Sequence, residues 1–267
     1  MSAITSAIKQ SIRTSIISSF GGTLDQLQAL ITSLFGAGEQ GAIYIPMPIV
    51  NGTQALFQDS AGTVPVTADG DPVGRMLDQS GNGNHAIQTV SGSRPVYRTD
   101  GVLHWLQPNG VNSYFQYPTT TPSTSHTASF AHSPDTASGT NQYLFDSGGS
   151  GRLIFAHLTG SIGQVGIFDG TFSSVGNATL GSQVVTYDMD SAQSDFGIYR
   201  NGAIVGARAG YSPQSVSPPA VLFGRNSGTT AFYQGRIYGL CIVHSTISAL
   251  DRSSLESYLA DLAGITL

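Results

Sequence analysis

Few residues in this chain have types suited to chemistry, and two of them stand as a pair. Asp188 and Asp190 lie two apart in the run QVVTYDMD, a spacing that places both carboxylates on one face of a β-strand. Paired carboxylates are the machinery of glycoside hydrolysis, which needs an acid and a base or nucleophile about 5–10 Å apart. The same residues also serve as acceptors that end a strand in a turn, and that is the expected role here. The only glutamates are Glu39, near the N-terminal end, and Glu256, in the last helical stretch.

Other reaction chemistries find little support. The six histidines are scattered, with no His-x-x-x-His or Cys-His cluster, which argues against zinc. No Gly-x-Ser-x-Gly elbow is present. A Ser/His/Asp triad is a spatial object that sequence does not reveal. Cys241, the one cysteine, sits in the apolar run YGLCIV and reads as a buried strand residue, so no disulfide framework holds the fold.

A second stretch concentrates polar residues. DQSGNGNHA, Asp78 to Ala86, could be a phosphate cradle, a metal loop, a catalytic loop or only a turn. A phosphate loop needs a lysine and a following helix, but the only lysine is Lys9 and β-type sequence follows. A calcium loop of the EF-hand kind needs alternating acids and a glutamate at position 12. A turn remains, in which Gly81 and Gly83 supply positive φ, Asn82 and Asn84 tolerate it, and Asp78 accepts from following amides.

The elements around these residues follow from composition and period. Charge is sparse: 11 Lys and Arg against 16 Asp and Glu, net −5, with 33 glycines. Turn and strand formers dominate, which predicts an all-β body. No basic run exists, so duplex nucleic acid, which needs its phosphates neutralised, is not an expected partner. The runs RPVYR, LHWLQ, SYFQY, QYLFDS, RLIFAHL, QVGIFDG, QVVTYDM, FGIYRNGAIVGAR, AVLFGR and GRIYGLCIV read as strands, with Asn201-Gly202 at a hairpin tip. Ten or more such strands imply an antiparallel sandwich or jelly roll.

The two ends read as helical. Ile4, Ile8, Ile12 and Ile16 recur every four residues, and Leu24, Leu27, Ile31 and Leu34 follow at spacings of 3, 4 and 3. These rows are expected to form an oligomer or anchor face, a trimer being the first guess. At the other end Ser248 caps a helix carrying Leu255, Tyr258, Leu259 and Leu262, with Gly264 as its C′ residue, expected over an open end of the sandwich. The resulting division is a helical attachment segment, 1–38; an extended linker, 39–50; and a jelly roll with its closing helix, 51–267. Polar residues interrupt the first twenty residues about every third position, so they do not read as a signal peptide. No stretch approaches the ~18 apolar residues of a membrane span.

The stretch LDQSGNGNHAIQTVSGSRPVYRTDGVLHWLQPNGVNSYFQY resembles the opening of laminin-G-like (concanavalin A-like) jelly rolls. TYDMDSAQSDFGIYRNGAIV and AVLFGRNSGTTAFYQGRIYGLCIV resemble later strand pairs of that family, so the likeness covers about residues 55 to 245. The hydrolase version of the fold carries a Glu-x-Asp-x-x-Glu strand, which is missing here. Laminin-G-like relatives often bind calcium or sugar at the loop rim. Calcium would draw on Asp59, Asp78, Asp146, Asp169 and Asp195, though no spacing selects among them; otherwise no metal or cofactor is expected. A stacking aromatic for a sugar would be Trp105 or a tyrosine, but Trp105, between Leu103 and Leu106, is expected to pack.

A narrower resemblance joins GEQGAIYIP and LFQDSAGTVPVTADGDPVGRMLDQSGNGNHA to the ending GRIYGLCIVHSTISALDRSSLESYLADLAGITL. Together they look like bacteriophage virion structural proteins. That resemblance implies a non-enzymatic protein made in the host cytoplasm and built into the virion. Its implied partners are other virion proteins, copies of itself and host-surface polysaccharide. The first expected role is glycan recognition at a tail fibre or baseplate. The alternatives are a head or tail decoration (cementing) protein and a glycan-cleaving enzyme.

Overall fold

Side-chain alternation along Gln183–Asp190 sets the frame: Val185, Tyr187 and Met189 enter one apolar core, while Val184, Thr186, Asp188 and Asp190 face the other side of the sheet. The computed structural model describes residues 24–118, 125–136, 141–148, 154–158, 164–168, 172–190, 195–210, 220–225 and 230–267. Ile4, Ile8, Ile12, Ile16 and Asp169 lie outside the described residues.

The first element is α1 (Leu24–Phe35). After it come β1 (Gly41–Tyr44), β2 (Ile49–Val50), β3 (Thr53–Gln54), β4 (Leu56–Phe57), β5 (Arg75–Met76) and β6 (Ala86–Ile87). The middle of the chain forms β7 (Val96–Thr99), β8 (His104–Gln107), β9 (Phe115–Tyr117), β10 (His126–Pro134) and β11 (Gln142–Asp146). Next are β12 (Ile154–Leu158), β13 (Gln164–Phe168), β14 (Phe172–Asn177), β15 (Gln183–Asp190) and β16 (Asp195–Arg200). The last elements are β17 (Ala203–Ala209), β18 (Ala220–Leu222), β19 (Gly235–Val243) and α2 (Ala249–Leu262).

Two sheets face each other. One runs β17-β16-β15-β10-β19-β8-β7, with β1 sharing the β8 edge of β19; the other runs β14-β13-β12-β11-β18-β9-β6-β5-β4. Their pairings are antiparallel, and the architecture is the expected all-β jelly-roll sandwich. Aromatic rings fill the space between the sheets. Tyr117 meets Phe145 edge-on at 5.7 Å and Phe130 meets Tyr187 at 6.1 Å, pairs that add about 0.5–1.5 kcal/mol each beyond their burial.

A second core lies on the outer face of the first sheet. Ile43, Ala131, Val184, Cys241 and Val243 of the strands meet Leu27, Leu30, Leu34 and Phe35 of α1 and Leu255, Tyr258, Leu259 and Leu262 of α2. This placement corrects three expectations. Leu27 and Leu34, expected to face another subunit, are 2 % exposed and packed against their own chain, and Ile31 is half-buried against the same core. Covering the four buried α1 side chains is worth roughly 6–12 kcal/mol before ordering costs, enough to make α1 part of the body. The closing helix lies across β10, β15 and β19 rather than over an end of the sandwich.

The third correction concerns the linker. Gly41–Tyr44, expected as spacer, is a fully buried strand registered Gly41 to Val243 and Tyr44 to Leu240. Ala42 and Tyr44 enter the inner core while Ile43 enters the outer one. A strand buried on both faces has no polar alternation to reveal it.

Candidate functional site

The DQSGNGNHA turn solves a problem that β1 creates. Only one edge of β1 pairs with β19, which leaves the Gly41 carbonyl and both polar groups of Ile43 needing partners. Gln79 N donates to Ile43 O at 2.9 Å, and Asp78 Oδ1 accepts from Ile43 N at 3.1 Å and Ser80 N at 2.8 Å. Asp78 Oδ2 accepts from Ser80 Oγ at 2.8 Å and Asn84 N at 3.0 Å. The Asn84 amide donates to Gly41 O at 2.8 Å, and the Asn82 amide donates to Gly41 O at 3.2 Å and Glu39 O at 3.1 Å. The Tyr44 hydroxyl reaches back to Asn84 O.

Gly81 at φ 93° and Gly83 at φ 76° take the expected left-handed conformation, and a Cβ at either would meet nothing, so φ alone requires glycine there. Asn82 and Asn84 do not share that conformation; their amides are needed as donors instead. His85 Nδ1 accepts from Asp78 N at 3.1 Å, and burial, helped by Arg75, holds its pKa down, which suits a neutral acceptor ring. Both oxygens of Asp78 are thus occupied by this chain's own donors. The arrangement is an edge clasp.

The outer face of the first sheet carries different chemistry. Thr127, Asp188, Gly197 and Ala207 stand in one row across β10, β15, β16 and β17, and Ser129, Thr186 and Tyr199 stand in the next. At the margin of α2 the Arg252 guanidinium lies 3.5 Å over the Tyr199 ring. Its Nη1 is 3.7 Å from Asp188 Oδ2 and its Nε is 3.8 Å from Glu256 Oε1. Asp188 Oδ1 also accepts from Thr127 Oγ1 at 2.9 Å. Burial pushes the Asp188 carboxyl up, against the Thr127 bond and Arg252; burial pushes Glu256 up as well, against a Thr186 bond and Arg252.

Beyond this margin no element among the described residues covers the sheet. Asp190 stands opposite Asp195, and Gly197 and Ala207 form a low floor with the exposed Ala209 and Ile204 beside them. Tyr199 lies above Gly197, where a Cβ would come within 3.0 Å of its ring. The result is a ledge of carboxylates, an aromatic edge and small residues beside a helical wall. Asp188 lies inside β15, paired with Thr127 of β10 and Gly197 of β16, whereas Asp190 is the last residue of β15 and pairs only with Asp195 of β16. Asp188 and Glu256 flank a shared guanidinium, so the pair forms an ion cluster that ties α2 to the sheet.

The remaining expected residues scatter. Asn201 at φ 49° and Gly202 at φ 81° form the β16–β17 hairpin tip. Trp105 is packed in the outer core, its Nε1 donating to Gln107 Oε1 at 3.0 Å and Arg236 4.7 Å over its ring. Asp59 accepts from Thr63 N at 2.9 Å and Val64 N at 2.8 Å in its own loop, and Asp146, wholly buried, accepts from Gly148 N at 2.9 Å. Among the described residues no three His, Cys, Asp or Glu side chains converge as a metal site. Arg252, Tyr199 and Thr127 went unseen as partners of Asp188; Tyr199 shares its strand run with the Asn-Gly hairpin, but nothing in sequence joins residue 252 to residue 188.

No family profile matches the chain, and no curated protein matches it. Among solved structures one shares its fold over most of the chain and others align over parts of it. Domain 4 of AbnA, a GH43 extracellular arabinanase from Geobacillus stearothermophilus, in complex with arabinotriose, aligns over 70 % of this chain and 91 % of that one, at 13 % identity and TM-score 0.51. The CBM40 of the Ruminococcus gnavus IT-sialidase aligns over 49 % of this chain and 82 % of that one, at 13 % identity and TM-score 0.39. A leech intramolecular trans-sialidase aligns over 60 % of this chain and 29 % of that one, at 15 % identity and TM-score 0.40. The class of fold is therefore the antiparallel β-sandwich that this chain shares with domain 4 of the arabinanase.

Proposed function

We propose that the chain is a non-enzymatic glycan-binding domain of a bacteriophage virion, serving host-surface recognition at a tail fibre or baseplate, and that the ledge on β15–β17 is where the glycan lies. The observation that carries the binding site is the stretch of outer sheet left uncovered among the described residues, which offers carboxylate acceptors and the Tyr199 edge beside the wall of α2. Sugar sites combine a few oriented polar groups with an aromatic surface. The arabinanase domain, solved with arabinotriose, supports the reading through its shared sandwich. The virion setting rests on the resemblance of the GEQGAIYIP region and the C-terminal run to phage structural proteins.

The non-enzymatic reading is supported by Arg252, which pairs with both Asp188 and Glu256 and so engages them in holding α2 to the sheet. The test is to incubate the purified chain with a panel of bacterial surface polysaccharides, measuring binding and released reducing ends together. Binding to at least one polysaccharide without new reducing ends is expected. Hydrolysis that disappears in Asp188→Asn would make the chain an enzyme, and no binding across the panel would remove the glycan reading.

A further inference from the structure

Asparagine stands directly before glycine at Asn51-Gly52, Asn82-Gly83, Asn109-Gly110 and Asn201-Gly202. Such a pair can consume its own amide. The glycine nitrogen attacks the asparagine Cγ, a five-membered imide closes, the Cγ–Nδ2 bond breaks, and ammonia leaves with the proton of the attacking nitrogen. Water then opens the imide at either carbonyl and leaves aspartate, or isoaspartate with the main chain running through Cγ. Both reacting atoms belong to one chain, so the first step is unimolecular and its rate depends on how freely they meet. Glycine puts no Cβ beside the nitrogen. Any hydrogen bond that holds the asparagine side chain or the glycine N–H opposes the approach.

Three of the pairs are held. Asn109 Oδ1 accepts from the amides of Val111, Asn112 and Ser113 at 2.9, 3.0 and 3.1 Å, and Gly110 N donates to Tyr233 O at 3.2 Å. The Asn82 amide is tied to Glu39 O and Gly41 O. Asn201 Oδ1 accepts from Val184 N at 2.8 Å, and its hairpin joins strands paired from Asp195 to Arg200 inside the larger sheet.

Asn51 has the same backbone as Asn201 and none of its restraint. The two turns have nearly equal φ, 51° and 75° against 49° and 81°, and all four residues are exposed. Among the described residues no hydrogen bond holds the Asn51 side chain. Its strands, β2 and β3, form a separate two-stranded sheet that pairs only Ile49 with Gln54 and Val50 with Thr53, so little resists a local change of turn. We propose that Asn51 is a site of covalent self-modification, converted through an imide with Gly52 to aspartate and isoaspartate. Either product adds a negative charge to a chain already at −5. Isoaspartate also adds a main-chain atom that a two-residue hairpin turn does not accommodate, so the Val50–Thr53 pairing is the first to be lost.

The test uses the full chain, folded in mildly alkaline buffer and unfolded by urea in the same buffer. Samples taken over days are cleaved after arginine, which places each Asn-Gly pair in a different peptide. Chromatography and mass spectrometry then separate the aspartate and isoaspartate products from the parent. In the folded chain Asn51 should lose its amide about tenfold faster than Asn201, and in urea the four rates should draw together. Gly52→Ala, which puts a Cβ beside the attacking nitrogen, should suppress the product at residue 51. The proposal is overturned if Asn51 reacts no faster than another pair in the folded chain. It is equally overturned by a lead that persists undiminished in urea, or by undiminished product in Gly52→Ala.

Discussion

The clasp at Asp78 and the cluster at Asp188 both bury a carboxylate, and they solve its burial in opposite ways. Asp78 has no cation beside it in the turn; four N–H and O–H donors, three of them backbone amides, fill its oxygens. Asp188 has one hydroxyl donor and a guanidinium at 3.7 Å. Charge-assisted hydrogen bonds from fixed amides are strong and short in reach. A partly buried ion pair returns little beyond its desolvation cost. The first arrangement therefore holds the fold, while the second can be altered without losing it.

The largest expected effect follows from that difference. Asp78→Ala strands the Ile43 amide and loosens both the turn and β1, and should cost about 3–4 kcal/mol in urea unfolding. Asn84→Ala, which removes one of the two amide donors to Gly41 O, should cost about 1 kcal/mol. A loss below that of Asn84→Ala for Asp78→Ala would break the comparison. At the other site Arg252→Ala leaves Glu256 buried without its cation. It should cost about 2 kcal/mol at neutral pH and less in acid, where the carboxyls bind protons. Equal cost at both pH values would show that Arg252 acts through packing on Tyr199 alone.

The smallest effect is a pH dependence with a worked sign. Burial raises the Asp188 carboxyl, so between the unfolded and folded values the folded chain holds a proton that the unfolded chain has released. Its contribution to stability falls as pH rises from the unfolded value near ~3.9 through the folded one. Asp59 is the reverse: backbone amides lower it to about 2, so its contribution is lost as pH falls toward that value. Carboxyl resonances followed by NMR through acid should place Asp59 below Asp188, and Asp188→Asn should flatten the stability profile above pH ~4.

The sequence made the sandwich legible where polar and apolar residues alternate, as in QVVTYDM, and where an Asn-Gly pair marks a hairpin. It hid β10, a central strand, because HTASFAHSP is built from small and polar residues that pack without a hydrophobic signature. It hid β1 for the opposite reason, since AIYI is apolar on both faces. The turn was readable as a turn from Gly81 and Gly83, yet its partners lie 35 to 43 residues earlier, and local spacing carries no trace of them. The ledge was half visible: Asp188 and Asp190 stood out as a pair, while Arg252 reaches Asp188 only through the packing of α2 on β15.

The most direct test of the account blocks the ledge while leaving both carboxylate sites intact. Ala207 is exposed on β17, opposite Gly197, so Ala207→Arg adds bulk to the floor without entering either core. Binding of this variant to the polysaccharide that the unaltered chain retains should be measured by calorimetry, with the melting temperature recorded alongside. The account predicts that binding is lost while the melting temperature stays the same. Undiminished binding at an unchanged melting temperature would contradict it and place the glycan elsewhere on the sandwich.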